Sequence, residues 1–371
     1  MALYLDNAAT TKIHEKVLDA MLKSLEFYGN SEAKYYEVAE KAKLNILNSR
    51  KSISNLVGCD AENVIFTSGA TEANNLIIKG LAETNPEKKK IIISAIEHSS
   101  ILEPCKYLEH KGYEIVKIKV DNYGLIDLNE LDNVIDNNTL MVSIIWVNNE
   151  IGTIQDMKAI DNICSKHNVF LHSDVTQAIG KINVNLSEYN ALKSITFSSH
   201  KIYGPKGIGC LILKKDDNGI KVKLTPLFHG GEQENGYRAG TLSNELIVGF
   251  GVACEMLINE VENTNKVLSI LEKELIKRLK SKFSDCMIIN NDWDCRIPGL
   301  LNVQFIGYNN LILLKNASSI LAASTGSSCS VSKPSQVLKA IGLDDKSISY
   351  SVRLSLSKYT KIEDLAILEE L

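Results

Sequence analysis

No stretch of the 371 residues stays apolar for the roughly 18 positions that a membrane-spanning helix needs. The opening MALYLDNAATTK turns polar at Asp6 and has neither the basic stretch nor the sustained apolar core of a secretory signal. Both absences put the expected location in the cytosol. An excess of one charge is also missing: 41 basic residues face 45 acidic ones, a formal net charge of -4 without long runs of either sign. That balance indicates no direct nucleic-acid binding and no membrane surface. The eight cysteines form no C-x-x-C pair and lack the spacing of a disulfide framework, so free and mostly buried thiols are expected. Internal repeats and low-complexity linkers are absent too.

The length suffices for a large core and two domains. Ile13, Val17, Met21, Leu25 and Tyr28 recur at helical spacing behind Thr10 and Thr11, which predicts an amphipathic helix over 13–28 capped by the threonines. From about 60 to 215, apolar runs (NVIFT, IIISA, MVSIIWV, VFLHS, SITFS, IGCLIL) alternate with helical stretches. Runs that are apolar at successive positions are buried on both faces, and their alternation with helices predicts a mostly parallel sheet covered on each side. A long helical stretch near 245–283 and the short segments after it read as a smaller α+β domain. The expected boundaries are 12–255 and 256–371, with residues 1–11 free to pack with either.

In such sheets ligands collect beyond the carboxyl ends of the strands. After NVIFT comes SGATEA, where the amides of Ala70 and Thr71 and the Thr71 hydroxyl open a helix and offer a phosphate cradle, although the segment is neither a Walker loop nor G-x-G-x-x-G. His98 follows IIISA, Asn149 lies in NNEIG after SIIWV, Asp174 and Gln177 follow VFLHS, and Ser198, His200 and Lys201 close SITFS. A lysine at the end of a buried strand is costly to leave charged and unpaired. A phosphate cradle, an imidazole, amides, a carboxylate and a lysine together suit pyridoxal 5'-phosphate: the lysine for a Schiff base, the carboxylate for the ring nitrogen, a flat ring for the pyridine face.

The segments YLDNAATT, FTSGATEANNL, VNNEIGTIQD, HSDVTQAIGK, SSHKIYGPKGIG, HGGEQENGYRAGT, STGSSCS, KPSQVL and VRLSLS stand in one order along the chain. On them the chain resembles, over nearly its whole length, the NifS-like cysteine desulfurases of the class V aminotransferase family. The resemblance implies fold type I of the pyridoxal-phosphate enzymes, with a mostly parallel seven-stranded sheet in the large domain. It implies Lys201 as the Schiff-base lysine, Asp174 at the pyridine nitrogen, Gln177 and Asn149 at the ring oxygen, and His98 stacked on the ring and moving protons. It further implies Ala70, Thr71, Ser198 and His200 at the phosphate, Thr241 supplied there by the second subunit of a homodimer, and Arg353 at the carboxylate of L-cysteine.

Cys210, inside GIGCLIL, reads as a core thiol, whereas Cys329 in STGSSCSVSKP lies in a segment too polar for a core. An exposed loop thiol is a liability unless it is used, and the resemblance implies that Cys329 takes sulfur from cysteine as a persulfide and passes it to an acceptor protein.

Four features depart from the family pattern. GNSEAKY at 29–35 lacks the usual proline and histidine, and Glu232 and Asn235 stand where glycine and arginine are common. Five steps separate Cys329 from Pro334, two fewer than in the long-loop branch, which shortens the reach by ~7 Å. The chain stops 18 residues after Arg353, short of the tail with which housekeeping members dock an iron–sulfur scaffold. A dedicated acceptor, as in tRNA thiolation or DNA phosphorothioation, is therefore expected rather than general iron–sulfur assembly. A selenocysteine lyase or another class V lyase is the alternative within the fold, and a catalytically idle platform the alternative outside it.

Overall fold

Short strands of Ile, Val, Leu and Met alternate with amphipathic helices between residues 64 and 213, and in the computed structural model they close into one layered sheet. The structure describes residues 2–33, 35–216, 218–291, 293–326 and 334–371. After β1 (Leu3–Tyr4), α1 (Glu15–Ser24) and α2 (Glu37–Val57) come β2 (Val64–Thr67), α3 (Ala70–Thr84), β3 (Lys90–Ser94), α4 (Ser99–Glu109), β4 (Glu114–Ile118) and α5 (Leu128–Val134). They are followed by β5 (Thr139–Ser143), α6 (Met157–Lys166), β6 (Phe170–Asp174), β7 (Leu192–Ser198) and β8 (Gly209–Leu213).

Seven of these strands form a sheet in the order β2-β8-β7-β6-β5-β3-β4. It is mixed but mostly parallel: β8 runs antiparallel to both β2 and β7, and the other pairs are parallel. Every residue of β5 is buried, as continuous apolar runs require when helices cover both faces. Helix α6 shows how the layers are filled. Met157, Ile160 and Cys164 fall on one buried face, and Asp156 accepts the Ala159 N–H at 3.0 Å to cap the first turn.

Beyond residue 243 the expected single helical stretch is two helices, α7 (Asn244–Glu255) and α8 (Val261–Phe283). The rest comprises β9 (Met287–Ile289), β10 (Leu300–Phe305), α9 (Asn310–Asn316), β11 (Leu321–Ala322), α10 (Gln336–Ala340), α11 (Asp345–Ser349) and β12 (Ser351–Ser355). Strands β12, β10 and β9 form an antiparallel sheet, and β1 pairs parallel with β11. Leu3 and Leu5 pack with Leu275, Leu301 and Leu354, whereas Ala8 belongs to the cluster beneath the large sheet. The opening segment thus spans both cores.

Helix α1 is shorter than its apolar spacing suggested. Its cap is His14, whose Nδ1 accepts the Lys16 N–H, while Thr11 is drawn away to bond the carbonyl of His200 and the amide of Tyr203. Leu25 and Tyr28, placed on the apolar face by spacing, are 56% and 87% exposed. Among the described residues no helix is long and apolar enough to cross a membrane, and Cys59, Cys105, Cys164, Cys210, Cys254, Cys286 and Cys295 are free thiols. Burial pushes Cys105 and Cys164 up to about 12, which keeps them protonated and inert.

Candidate active site

The carboxyl ends of the parallel strands and the crest of the β7–β8 hairpin converge on one cavity of about 240 Å³. Lys201 reaches it because β7 ends at Ser198, a short 3-10 turn carries Ser199–Lys201, and the chain returns as β8 from Gly209. Ala70, Thr71, His98, Asn149, Asp174, Gln177, Ser198, His200, Lys201 and Arg353 all line this cavity, together with Ala8, Ala9 and Ser100. Of the residues expected at the site, Thr241 is exposed and does not line the cavity of its own chain, and Cys329 lies outside the described residues.

At one end the loop after β2 turns through Gly69, at φ 153°, into α3. Ala70 donates its N–H to Ser198 Oγ at 2.7 Å, which joins the helix start to the end of β7. Gly209 of β8 lies directly behind: a Cβ there would come within 2.7 Å of Gly69 Cα. Glu72 of the first turn accepts the Ser68 N–H at 2.8 Å and pairs with Arg238 Nε at 3.0 Å, which ties the segment around Arg238 to the start of α3. Glu234 fastens the same segment from inside, accepting Phe66 N–H at 2.7 Å and pairing with Arg50 at 2.6 Å, while Asn235 beside it turns the chain at φ 56°.

The Lys201 Nζ donates to the carbonyls of Ala8 and Ala9 at 2.6 and 2.7 Å. Gln177 donates to the same Ala8 carbonyl at 2.8 Å and accepts from Lys181 Nζ at 2.7 Å. Asp174 is buried at the end of β6, accepting Thr176 N–H at 2.9 Å and Asn74 Nδ2 at 2.9 Å, and among the described residues it makes no ion pair. Arg353 of β12 is 1% exposed and donates to Asp6 Oδ1 at 2.8 Å, Ser324 Oγ at 3.0 Å and the Asn149 carbonyl at 3.0 Å. Its Nε is buried without a hydrogen-bond partner among the described residues.

Burial chiefly lowers the pKa of His98, with Lys201 and Arg353 adding to the shift and Asp174 opposing it. Burial, then Lys201 and Lys206, takes His200 down to about 4. Lys181 falls to about 7 for the same first reason, reinforced by Lys201 and Arg353. The cavity thus keeps its imidazoles neutral and sets a carboxylate at one side and cations at the other.

Asp6, Asn74 and Lys181 stand within the motifs YLDNAATT, FTSGATEANNL and HSDVTQAIGK, yet nothing in those letters marks a role for them. Their signal is spatial: Asp6 meets a partner 347 positions away. Asn74 is the inward residue of α3 beneath Asp174, and Lys181 stands one turn beyond Gln177.

The donor set fits pyridoxal 5'-phosphate. A buried carboxylate without a cation of its own suits a protonated ring nitrogen, and the Gly69–Thr71 turn offers amides and a hydroxyl to a phosphate. A family model, Aminotransferase class-V, matches residues 3–368. Cysteine desulfurase IscS of Rickettsia prowazekii (strain Madrid E) is 39% identical over 98% of this chain and 88% of that protein. The mitochondrial cysteine desulfurase of Arabidopsis thaliana is 38% identical over 98% of this chain and 80% of its own length. Among solved structures, a NifS-like protein superposes with a TM-score of 0.92 at 33% identity, covering 100% of this chain and 98% of that one. SspA in complex with cysteine gives 0.84 at 33% identity, covering 96% of this chain and 99% of the other. With the layered sheet, the hairpin lysine and near full-length identity agreeing, the chain belongs to the class V aminotransferase family and, within it, to the NifS-like cysteine desulfurases.

Proposed function

We propose that this cavity removes sulfur from L-cysteine, leaving alanine, and delivers it as a persulfide on Cys329 to an acceptor protein. The observation that carries the reading is the meeting of Lys201, Asp174, His98 and Arg353 on one cavity. Pyridoxal 5'-phosphate, when bound, supplies a ring that withdraws electrons from the substrate's α-carbon.

Asp174, Gln177 and Asn149 would hold the ring edge, and Ala70, Thr71, Ser198 and His200 the phosphate. Arg353, whose buried Nε is an unspent donor, is the cation for the substrate carboxylate. Lys201 removes the proton from the α-carbon, and the carbonyls of Ala8 and Ala9 that it meets keep its Nζ inside the cavity. The Cys329 thiolate attacks the substrate sulfur. An S–S bond forms, the carbon–sulfur bond breaks with its electron pair passing to carbon, and that carbon gains a proton to become the methyl group of alanine. His98 contributes by hydrogen bonding and proton movement, an effect usually of about 10²–10⁴-fold.

A homodimer completes the phosphate site through Thr241. Leu18 and Leu22 on α1 and Leu25 at its C-terminal cap, spaced i, i+4, i+7 and each more than 40% exposed, support a buried partner face. A division near residue 255 is supported by the cluster that joins Leu268, Leu275, Leu301, Val352 and Leu365, whose buried members all follow residue 255 except Leu3 and Leu5, although Leu257, Ile297 and Leu300 pack with the large sheet. Iron–sulfur assembly is the typical destination of such sulfur. The short spacer between Cys329 and Pro334 supports instead a dedicated acceptor whose own nucleophile approaches closely.

Mass spectrometry of the protein after incubation with cysteine should find one added sulfur atom on Cys329, and Cys329→Ser should release no sulfide. A Cys329→Ser variant that desulfurates cysteine at the wild-type rate refutes the assignment.

A further inference from the structure

Asn74 is fully buried in α3 and uses every hydrogen-bonding position of its amide. Its Nδ2 donates to Asp174 Oδ2 at 2.9 Å and to Ser100 Oγ at 2.8 Å. Its Oδ1 accepts Thr196 Oγ1 at 2.5 Å and meets His172 Nε2 at 3.2 Å. Turning the amide over would set its oxygen against the Asp174 carboxylate, so the orientation is forced.

The remaining protons follow in sequence. His172 must donate from Nε2 to Asn74 Oδ1, and its Nδ1 accepts from Ser194 Oγ at 2.8 Å. Ser100 Oγ accepts from Asn74, which leaves its own proton for His98 Nδ1 at 2.8 Å. The Ser100 backbone N–H points at the same nitrogen at 3.2 Å. Two donors on Nδ1 require a lone pair there. The proton of neutral His98 therefore sits on Nε2.

We propose that Asn74 and Ser100 are positioning residues that lock neutral His98 in its Nε2–H tautomer and tie its orientation to Asp174. The inference rests on the reading of His98 as a participant in the reaction, and it gives that participation a direction. From Nε2 the neutral ring can only donate. Taking up a proton means adding it at Nδ1, where it would face the Ser100 backbone N–H and force the Ser100 hydroxyl proton to turn away. The charged groups that face His98 are Asp174, Lys201 and Arg353, and the two cations add to the opposition.

The test is nitrogen-15 NMR of the full-length holoenzyme with ring-labelled histidine, His98 being assigned by the signal lost in His98→Gln. The wild type should show a protonated Nε2 and a bare Nδ1 at neutral pH. Ser100→Ala removes the hydroxyl donor and should shift the tautomer ratio toward Nδ1–H by about fivefold, the equivalent of one hydrogen bond. Asn74→Ala should shift it the same way. A protonated Nδ1 in the wild type, or an unchanged ratio in Ser100→Ala, overturns the proposal even if Asn74→Ala fails to fold. Sulfide release by the same wild-type sample separately tests the functional reading.

Discussion

Arg353 and Asp6 form a nearly closed pair, with the guanidinium 1% and the carboxylate 20% exposed. Removing one partner of such a pair leaves a buried charge uncompensated. Asp6→Ala should therefore lower the unfolding free energy by about 3 kcal/mol in urea titrations. It should also raise KM for cysteine, because the freed guanidinium loses its fixed orientation, and a variant with wild-type stability and KM would contradict the pairing. Lys201, Asp174 and His98 were legible from sequence because each is a polar residue at the end of an apolar run, where a parallel sheet gathers its ligands. Asp6 was not, since its meaning depends on a strand more than three hundred residues away and on Ser324 beside it. Lys181 was silent for another reason: nothing in the letters QAIGK says that the lysine turns inward to Gln177.

Strands and helices between 64 and 213 were readable because burial on both faces leaves continuous apolar runs and because capping residues such as Asp156 mark the helix starts. Helix α2 carried no such mark: Tyr36 precedes it without a side-chain cap, and alanine and serine share its buried face with isoleucine and valine. The place where two elements touch was equally hidden. The glycine of β8 at position 209 exists for the loop at Gly69, since any Cβ would also meet the Phe197 carbonyl at 2.7 Å. Gly209→Ala should push that loop outward, weaken pyridoxal 5'-phosphate affinity at least tenfold by equilibrium dialysis, and cost about 1–3 kcal/mol of stability as an overpacked contact. Unchanged cofactor affinity would mean that the loop does not hold the phosphate.

Across the whole molecule, three histidines near the sheet ends are held neutral by burial: His98 shifted down, His172 and His200 down to about 4. Their folded pKa values lie below the unfolded 6.5, so the unfolded chain binds more protons as pH falls from 6.5 toward about 4. The denaturation midpoint should decline across that window, and a flat midpoint would show that these rings are not buried neutral. Lys181, down to about 7, acts over a higher range: stability gained from its neutral form rises as pH climbs from about 7 to 10.5. The opening segment reaches far across the fold: residues 3–11 bond to Ala322, Ser355 and His200 and hold the amine of Lys201. Its bonds to His200 and Lys201 close against the β7–β8 hairpin, and those to Ala322 and Ser355 against β11 and β12. Loosening at β11 or β12 would therefore be felt at the Lys201 amine, because one short segment ties both small sheets to the carbonyls of Ala8 and Ala9.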